Sequence, residues 1–350
     1  MARGDPHASL ATLKATVTIA GGGLAGLSLA AGLRLRGVPV KVHEAGSYPR
    51  HRVCGEFISG AAPATLEALG IADAFADALP RRSLIWLSEG KLVHCDDLPE
   101  PALGISRYRL DARLRERVTE LGGEVIEHSR QVREPLEGLV WTAGRIPAKS
   151  RWIGLKCHFR DLAMKADLEM HLGSNGYAGL AGVEDGRVNV CGLFKVDRAL
   201  RGSGSELLLS YLEQGGNDVL AKRLRGAVVD EDSFAAVAGF SLGRQPELPG
   251  LCVLGDAESM IPPFTGNGMS MAFQAAELAL EPLEEWSKGF LDWDDCRAAI
   301  RSALHRRFRR RLNAAQALHP VLMYGSGRHL VKSLGRARLL PFRPLLSLVR

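Results

Sequence analysis

The six cysteines, at positions 54, 95, 157, 191, 252 and 296, include no C-x-x-C pair. Neither a zinc site nor a disulfide framework is suggested, and the scatter fits a reducing cytoplasm. No apolar stretch reaches the roughly 18 residues that a membrane span needs. The opening MARGDPHASLATLKA holds no apolar core of the kind a secretory leader carries. The expectation is a cytoplasmic protein, neither secreted nor integral to a membrane. Acid is absent from the last fifty residues: 301–350 contain twelve Arg or Lys and no Asp or Glu, so the net +6 of the chain divides into +12 there and −6 over residues 1–300. The run HRRFRRR (305–311) and the Leu-rich, Arg-dotted end suit either contact with the anionic inner face of a membrane, or a solvated basic face whose apolar stripe packs on the body. Nucleic acid is disfavoured, because the body is net negative and Phe308 is the one aromatic within the basic run. With 46% hydrophobic residues among 350, the chain can bury one or two cores and is not dominated by disorder.

The strongest local pattern lies near the start. TVTIA (16–20) reads as a strand, GGGLAG as a tight turn, SLAAGLRLRG as a helix and VPVKVHE as a second strand. Gly21, Gly23 and Gly26 supply G-x-G-x-x-G. Gly21 permits the turn, Gly23 lets the backbone approach a pyrophosphate, and Gly26 lets helix and strand pack closely. The phosphate belongs at the helix N-terminus, where unpaired N–H groups and the helix dipole favour an anion. Glu44, eighteen residues past Gly26, ends the second strand, where an acid can accept ribose hydroxyls; this favours FAD or NAD over NADP.

A second stretch, GDAESMIPPFTGNGMSMAF (255–273), places an acid, two prolines and two glycines between the strand-like LCVL and a helical pattern beginning near Gly268. Asp256, at the strand's carboxyl end, can accept sugar-alcohol hydroxyls. Gly266 and Gly268 allow main-chain N–H groups to face a ligand, and a helix start stabilises the negative charge that accumulates on a reduced flavin. The stretch suits a redox-active ring.

These two motifs together resemble the FAD-dependent oxidoreductases that include para-hydroxybenzoate hydroxylase and the geranylgeranyl reductases. The likeness is carried by residues 16–60, 104–128 and 248–282, about a third of the chain, and PRHRVCGE (49–56) is similar to the reductase branch, where a Cys-Gly pair approaches the flavin. The resemblance implies an α/β fold: a Rossmann-like FAD-binding domain of the glutathione-reductase type, an inserted mixed or antiparallel β-sheet substrate domain, and C-terminal helices. It divides the chain into a discontinuous cofactor domain (1–60, 104–150 and 241–290), a substrate domain (61–103 and 151–240) and a helical basic tail (291–350). It implies FAD contacts at Ala25, Glu44, Arg52, Cys54, Gly55, Arg107, Asp256, Gly268 and Met269, with NAD(P)H as a candidate electron donor.

The chain departs from the family between Gly122 and Gly144. Where relatives end a strand in G-A-D-G, this chain reads LVWTAGR, with Ala143 and Gly144 in place and no aspartate. No W-x-W-x-I-P segment occurs, which argues against a flavin halogenase. WIGLKCHF, ADLEMHL, GYAGLAGV and RVNVCGLF read as strands, residues 57–103 as helices and short strands, and 292–322 as a charged helix broken near Pro320. Lys156 and His158 share one strand face, expected to meet solvent, while His51 and His158 have no partners at metal spacing and are expected to be structural. No catalytic residue and no metal site are assigned. The resulting expectation is an FAD-dependent oxidoreductase acting on an apolar aromatic, polyketide or isoprenoid-like molecule, as a monooxygenase or a double-bond reductase. A flavin-binding electron carrier, or a flavoprotein without turnover, is the alternative.

Overall fold

The structure, a computed structural model, describes residues 14–350; most of the N-terminal stretch judged above for a secretory leader lies outside the described residues. Apolar and β-branched residues form β1 (Val17–Ala20), followed by α1 (Leu24–Leu35) and β2 (Val40–His43). β1 and β2 pair in parallel, which demands a crossover, and α1 supplies it. Leu24 to Leu33 are all buried, as expected of a helix apolar around its whole circumference. Gly32 admits a later helix so closely that a Cβ there would stand 2.7 Å from Leu280 Cδ2.

Next come β3 (Phe57–Ile58), α2 (Pro63–Ala68), β4 (Leu79–Ser88) and β5 (Lys91–Gly104). β4 and β5 are long strands rather than the short ones expected, joined through Glu89 and Gly90, both at positive φ (52° and 74°) as a two-residue hairpin turn requires. α3 (Arg107–Glu120) begins at Ser106, whose Oγ accepts from Arg109 N at 3.1 Å, and leads to β6 (Glu124–Ile126) and β7 (Leu139–Trp141). The four middle runs form β8 (Trp152–Arg160), β9 (Leu168–Leu172), β10 (Gly176–Gly182) and β11 (Val188–Lys195). α4 (Gly204–Gln214), α5 (Asp218–Arg225) and β12 (Val228–Ala238) follow. The remainder comprises β13 (Gly243–Arg244), β14 (Cys252–Val253), β15 (Ser259–Met260), α6 (Gly268–Ser287), α7 (Trp293–Met323), α8 (Gly325–Arg336) and α9 (Phe342–Leu348).

Two main sheets result. One is parallel, in the order β14-β7-β1-β2-β6; the other has the order β12-β8-β11-β10-β9-β4-β5-β3 and is antiparallel except where β4 meets β9. This is the expected α/β architecture: a Rossmann-like parallel layer beside a mixed sheet, closed by C-terminal helices. α1, α3, α6 and α7 share a single apolar core with the parallel sheet.

Two local expectations are corrected. LCVLGD does not stay extended to Asp256: β14 ends at Val253, and residues 255–257 turn as a short 3-10 segment because Gly255 takes φ +65°. The charged helix is not broken at Pro320 either; α7 runs through it to Met323. In the last turn proline's missing N–H removes a single ladder bond, so the helix tolerates it. The tail is packed on the body, with Val331, Phe342 and Val349 buried, while Leu330, Leu339 and Leu348 stay exposed.

Candidate active site

Three loops converge at the carboxyl edge of the parallel sheet. In the first, Gly21 sits at φ +112°, and a Cβ there would lie 2.5 Å from Ala143 Cα and 2.6 Å from the Thr142 carbonyl carbon. Only glycine fits this crossing of the first turn with the end of β7. Thr142 Oγ1 donates to the Gly21 carbonyl at 2.6 Å and fixes it. α1 then starts at Gly23 with no side-chain cap and no acid in its first turn, so its leading N–H groups are available to an anion. Glu44 is buried; its Oε2 accepts from Gly22 N and its Oε1 from Gly46 N, each at 2.9 Å. Burial works to raise its pKa, but the Gly46 amide, Arg52, Arg50 and the Gly22 amide outweigh it and the net direction is down.

The second loop, residues 50–56, runs beside α3. Arg52 Nε donates to Asp111 Oδ2 at 2.9 Å, and Arg107 grips the same carboxylate through Nε at 2.7 Å and Nη2 at 2.8 Å. One buried aspartate thus orients two arginines beside the glycine turn, leaving net positive charge where a pyrophosphate would need it. Arg107 Nη2 is 3.9 Å from the place a Cβ on Gly23 would occupy. The third loop carries Asp256, Gly266 and the start of α6. It reaches back to the first, since a Cβ on Gly255 would meet Ala25 Cβ at 3.0 Å. α6 also starts without a side-chain cap, at Gly268.

The residues expected to contact FAD fall into two adjoining groups. Gly21, Gly23, Ala25, Gly26, Glu44, Arg52, Arg107 and Ala143 gather around the glycine turn and the start of α1. Cys54, Gly55, Asp256, Gly266, Gly268 and Met269 line a cavity of about 290 Å3. Asp256 is exposed to that cavity, and the protein packed around it pushes its carboxyl pKa up against the pull of Arg107 and Arg145. Across from these residues the wall is apolar. Trp86, Met170, Leu193 and Phe240 come from the mixed sheet and its edge, and Leu322, Phe342 and Val349 from the tail. Among the described residues no Lys, Arg or His lines it.

Beneath Cys54 and Gly55 lies a cluster that corrects the sequence reading. Lys156 and His158 do not face solvent; both are fully buried, and Glu56 lies between them. His158 Nε2 donates to Glu56 Oε2 at 2.6 Å, and Lys156 Nζ stands 3.5 Å from Glu56 Oε1 and 3.0 Å from His51 Nδ1. His51 and His158 therefore do have partners. Glu56 Oε1 also accepts from Arg107 N at 3.0 Å, and its pKa falls because His158, Lys156 and that amide outweigh burial. Burial, then the Lys156 charge, hold His51 down to about 4, so near neutral pH it accepts the ammonium proton at Nδ1. The ligand atoms of His51, Glu56 and His158 lie within 4.8 Å of one another, a spacing that could hold a metal ion. The Lys156 ammonium reaches two of the three and already supplies a cation there. Glu56 holds φ +53°, a conformation that costs about 1–2 kcal/mol in a residue bearing a Cβ. The signal for this cluster was CGE itself: an acid directly after the two residues expected to meet a ring.

A family model for squalene epoxidase matches residues 205–320, about a third of the chain, including the third loop and most of α7. No curated protein matches the chain in sequence. Among solved structures, PqsL, a probable FAD-dependent monooxygenase from Pseudomonas aeruginosa, is similar at 17% identity and TM-score 0.70, over 90% of this chain and 98% of that one. The flavin-dependent brominase Bmp2 is similar at 17% and 0.72, over 96% of this chain and 93% of its own. The p-nitrophenol 4-monooxygenase PnpA from Pseudomonas putida DLL-E4 is similar at 16% and 0.70, over 95% and 98%. The fold is that of the FAD-dependent monooxygenases. At these identities the likeness, including that to a brominase, is one of fold, and the chemistry has to be read from the site.

Proposed function

We propose that the protein is an FAD-dependent monooxygenase whose substrate is an uncharged, apolar small molecule of isoprenoid or similar hydrocarbon character. The observation that carries this reading is the shared cavity. Cys54, Gly55, Asp256 and Gly268, the residues assigned to the flavin side, and the apolar faces of the mixed sheet and the tail are walls of one space. The residues present fit FAD. The glycine turn and uncapped α1 suit the pyrophosphate, Glu44 the adenosine ribose, Asp256 the ribityl chain, and the start of α6 the ring edge that becomes negative on reduction. Bound FAD supplies the redox and oxygen chemistry, and NAD(P)H is the proposed donor. This chain's residues orient the ring, exclude water and hold an apolar molecule against it.

Two readings are weakened by the same cavity. A benzoate-like or other anionic substrate would find no cation on the wall among the described residues, and an electron carrier has no use for an apolar chamber of this size. Reduction of a carbon–carbon double bond remains the rival chemistry, since CGE resembles the reductase branch. Turnover of an apolar alkene under labelled oxygen with NAD(P)H separates them: the proposal expects one labelled oxygen atom in the product, and a saturated, unlabelled product would replace it with the reductase reading.

The tail extends the proposal to the membrane surface. Among the described residues no helix is long and apolar enough to cross a membrane. Tyr324, Leu330, Leu339 and Leu348 are exposed on the basic tail, beside the helices that close the cavity. We infer peripheral contact with an anionic cytoplasmic membrane face, where apolar burial and arginine attraction add. Co-sedimentation with vesicles containing anionic lipid is expected for the full chain and reduced for L330E/L339E; equal binding would remove the inference.

A further inference from the structure

The cluster under the flavin-facing turn is more than a solved burial problem. Four titratable side chains, three of them fully buried, meet where the cofactor side of the molecule touches the mixed sheet. Burying a carboxylate and an ammonium is costly, and a well-packed apolar pair would hold the same space more simply. The connections explain the arrangement. Through Oε1, Glu56 accepts from Arg107 N, the first residue of α3, whose side chain lies against the glycine turn. Through Oε2 it accepts from His158 on β8. Its own amide points to Cys54 Sγ at 3.5 Å, and Asn189, opposite His158 in the β8–β11 ladder, donates from Nδ2 to the Cys54 carbonyl at 2.9 Å. The positive φ of Glu56 turns the chain so that Cys54 and Gly55 face the cavity while the carboxylate faces the opposite way. A Cβ built on Gly55 would meet nothing within 4 Å, so this side of the turn is open toward the cavity it lines.

We propose that Glu56, Lys156 and His158 are positioning residues: a buried charge lock that fixes the Cys54–Gly55 turn between α3 and β8, and thereby sets how tightly the flavin ring is held and how readily it is reduced. The inference rests on the reading that FAD lies against this turn. The groups facing the lock are His51 and Tyr108 on its outer side, Asp230 and Ser233 from β12, Arg107 from α3, and Cys157, Asn189 and Cys191 from β8 and β11. Ser233 Oγ accepts from His158 N at 2.6 Å and its carbonyl accepts from Lys156 Nζ at 3.4 Å, so β12 backs the lock from behind.

The test is the double variant E56Q/K156M, which removes the lock without leaving a lone buried charge. With melting temperature close to wild type, its dissociation constant for FAD is expected to rise at least tenfold. The ratio of its affinities for oxidised and reduced FAD is expected to change about tenfold, which is about 30 mV for a two-electron couple. K156R, which keeps the charge, should stay within threefold of wild type in both. A folded double variant with wild-type affinity and potential overturns the lock and leaves the FAD reading standing. A wild-type protein that takes up no FAD overturns both. Should the double variant not fold, hydrogen exchange of the wild type decides: FAD loading is expected to slow the Glu56 and Arg107 amides at least tenfold, and unchanged exchange there overturns the lock.

Discussion

Valine at position 26 is expected to leave the protein without bound flavin and to lower its melting temperature by several degrees. Gly26 sits in the first turn of α1 with its Cα against β1. A Cβ there would overlap the Gly21 carbonyl oxygen, stand 2.6 Å from Thr142 Oγ1 and 3.2 Å from Ile19 Cγ2. None of the three is a flexible chain end: one is backbone, one is a hydroxyl fixed to that backbone by a 2.6 Å hydrogen bond, and one is in the sheet interior. α1 must therefore move outward, and overpacking of this kind costs about 1–3 kcal/mol. Because Gly21 and the start of α1 form the proposed pyrophosphate seat, the same displacement removes it. Flavin content per polypeptide and a thermal melt check the two effects separately. Retention of a full equivalent of FAD by the variant would show that the ligand lies elsewhere.

Phenylalanine at position 179 is expected to do the opposite, sparing the cofactor and abolishing turnover. Gly179 lies on β10 between Cys191 and Met170 in the ladder, and the nearest atoms to a Cβ there are carbonyl oxygens at 3.9 and 4.0 Å. The added side chain has no backbone to strain and enters the cavity that Gly179 lines. A benzyl group takes up much of about 290 Å3 of apolar space. The specificity constant for an apolar substrate should fall at least 100-fold, about 2.7 kcal/mol of transition-state stabilisation. FAD affinity and melting temperature should remain near wild type, and alanine at the same place should cost little. If phenylalanine left turnover unchanged, the substrate would not occupy this cavity.

The contrast between these positions shows what was legible in the sequence. The glycine turn could be read because its logic is local: strand, turn, helix and strand follow within thirty residues, and the requirement at Gly21 and Gly26 is steric. The start of α6 could be read for the same reason. The four middle strands and the α/β class followed from apolar runs separated by turn residues. Lys156 and His158 could not be placed, because a period of two shows that they share a face and is silent on which face is inside. That was decided by Glu56, about a hundred residues earlier in the chain, which gives two buried basic groups a carboxylate. Asp256 was put on a strand, since the positive φ of Gly255 that bends the chain there is one of several conformations glycine allows. In the tail, the composition showed an apolar stripe among arginines, but its partner, the cavity wall, is assembled from β4, β10 and β11 and has no signature in the tail itself.

The absorbance spectrum of the purified protein, alone and after incubation with FAD and gel filtration, tests the cofactor most directly. The assignment of the three loops to one cofactor predicts the two visible bands of oxidised flavin at about one equivalent per chain, bleached by NAD(P)H and restored by air. A protein that stays colourless after reconstitution, with its fold intact by circular dichroism, would contradict it.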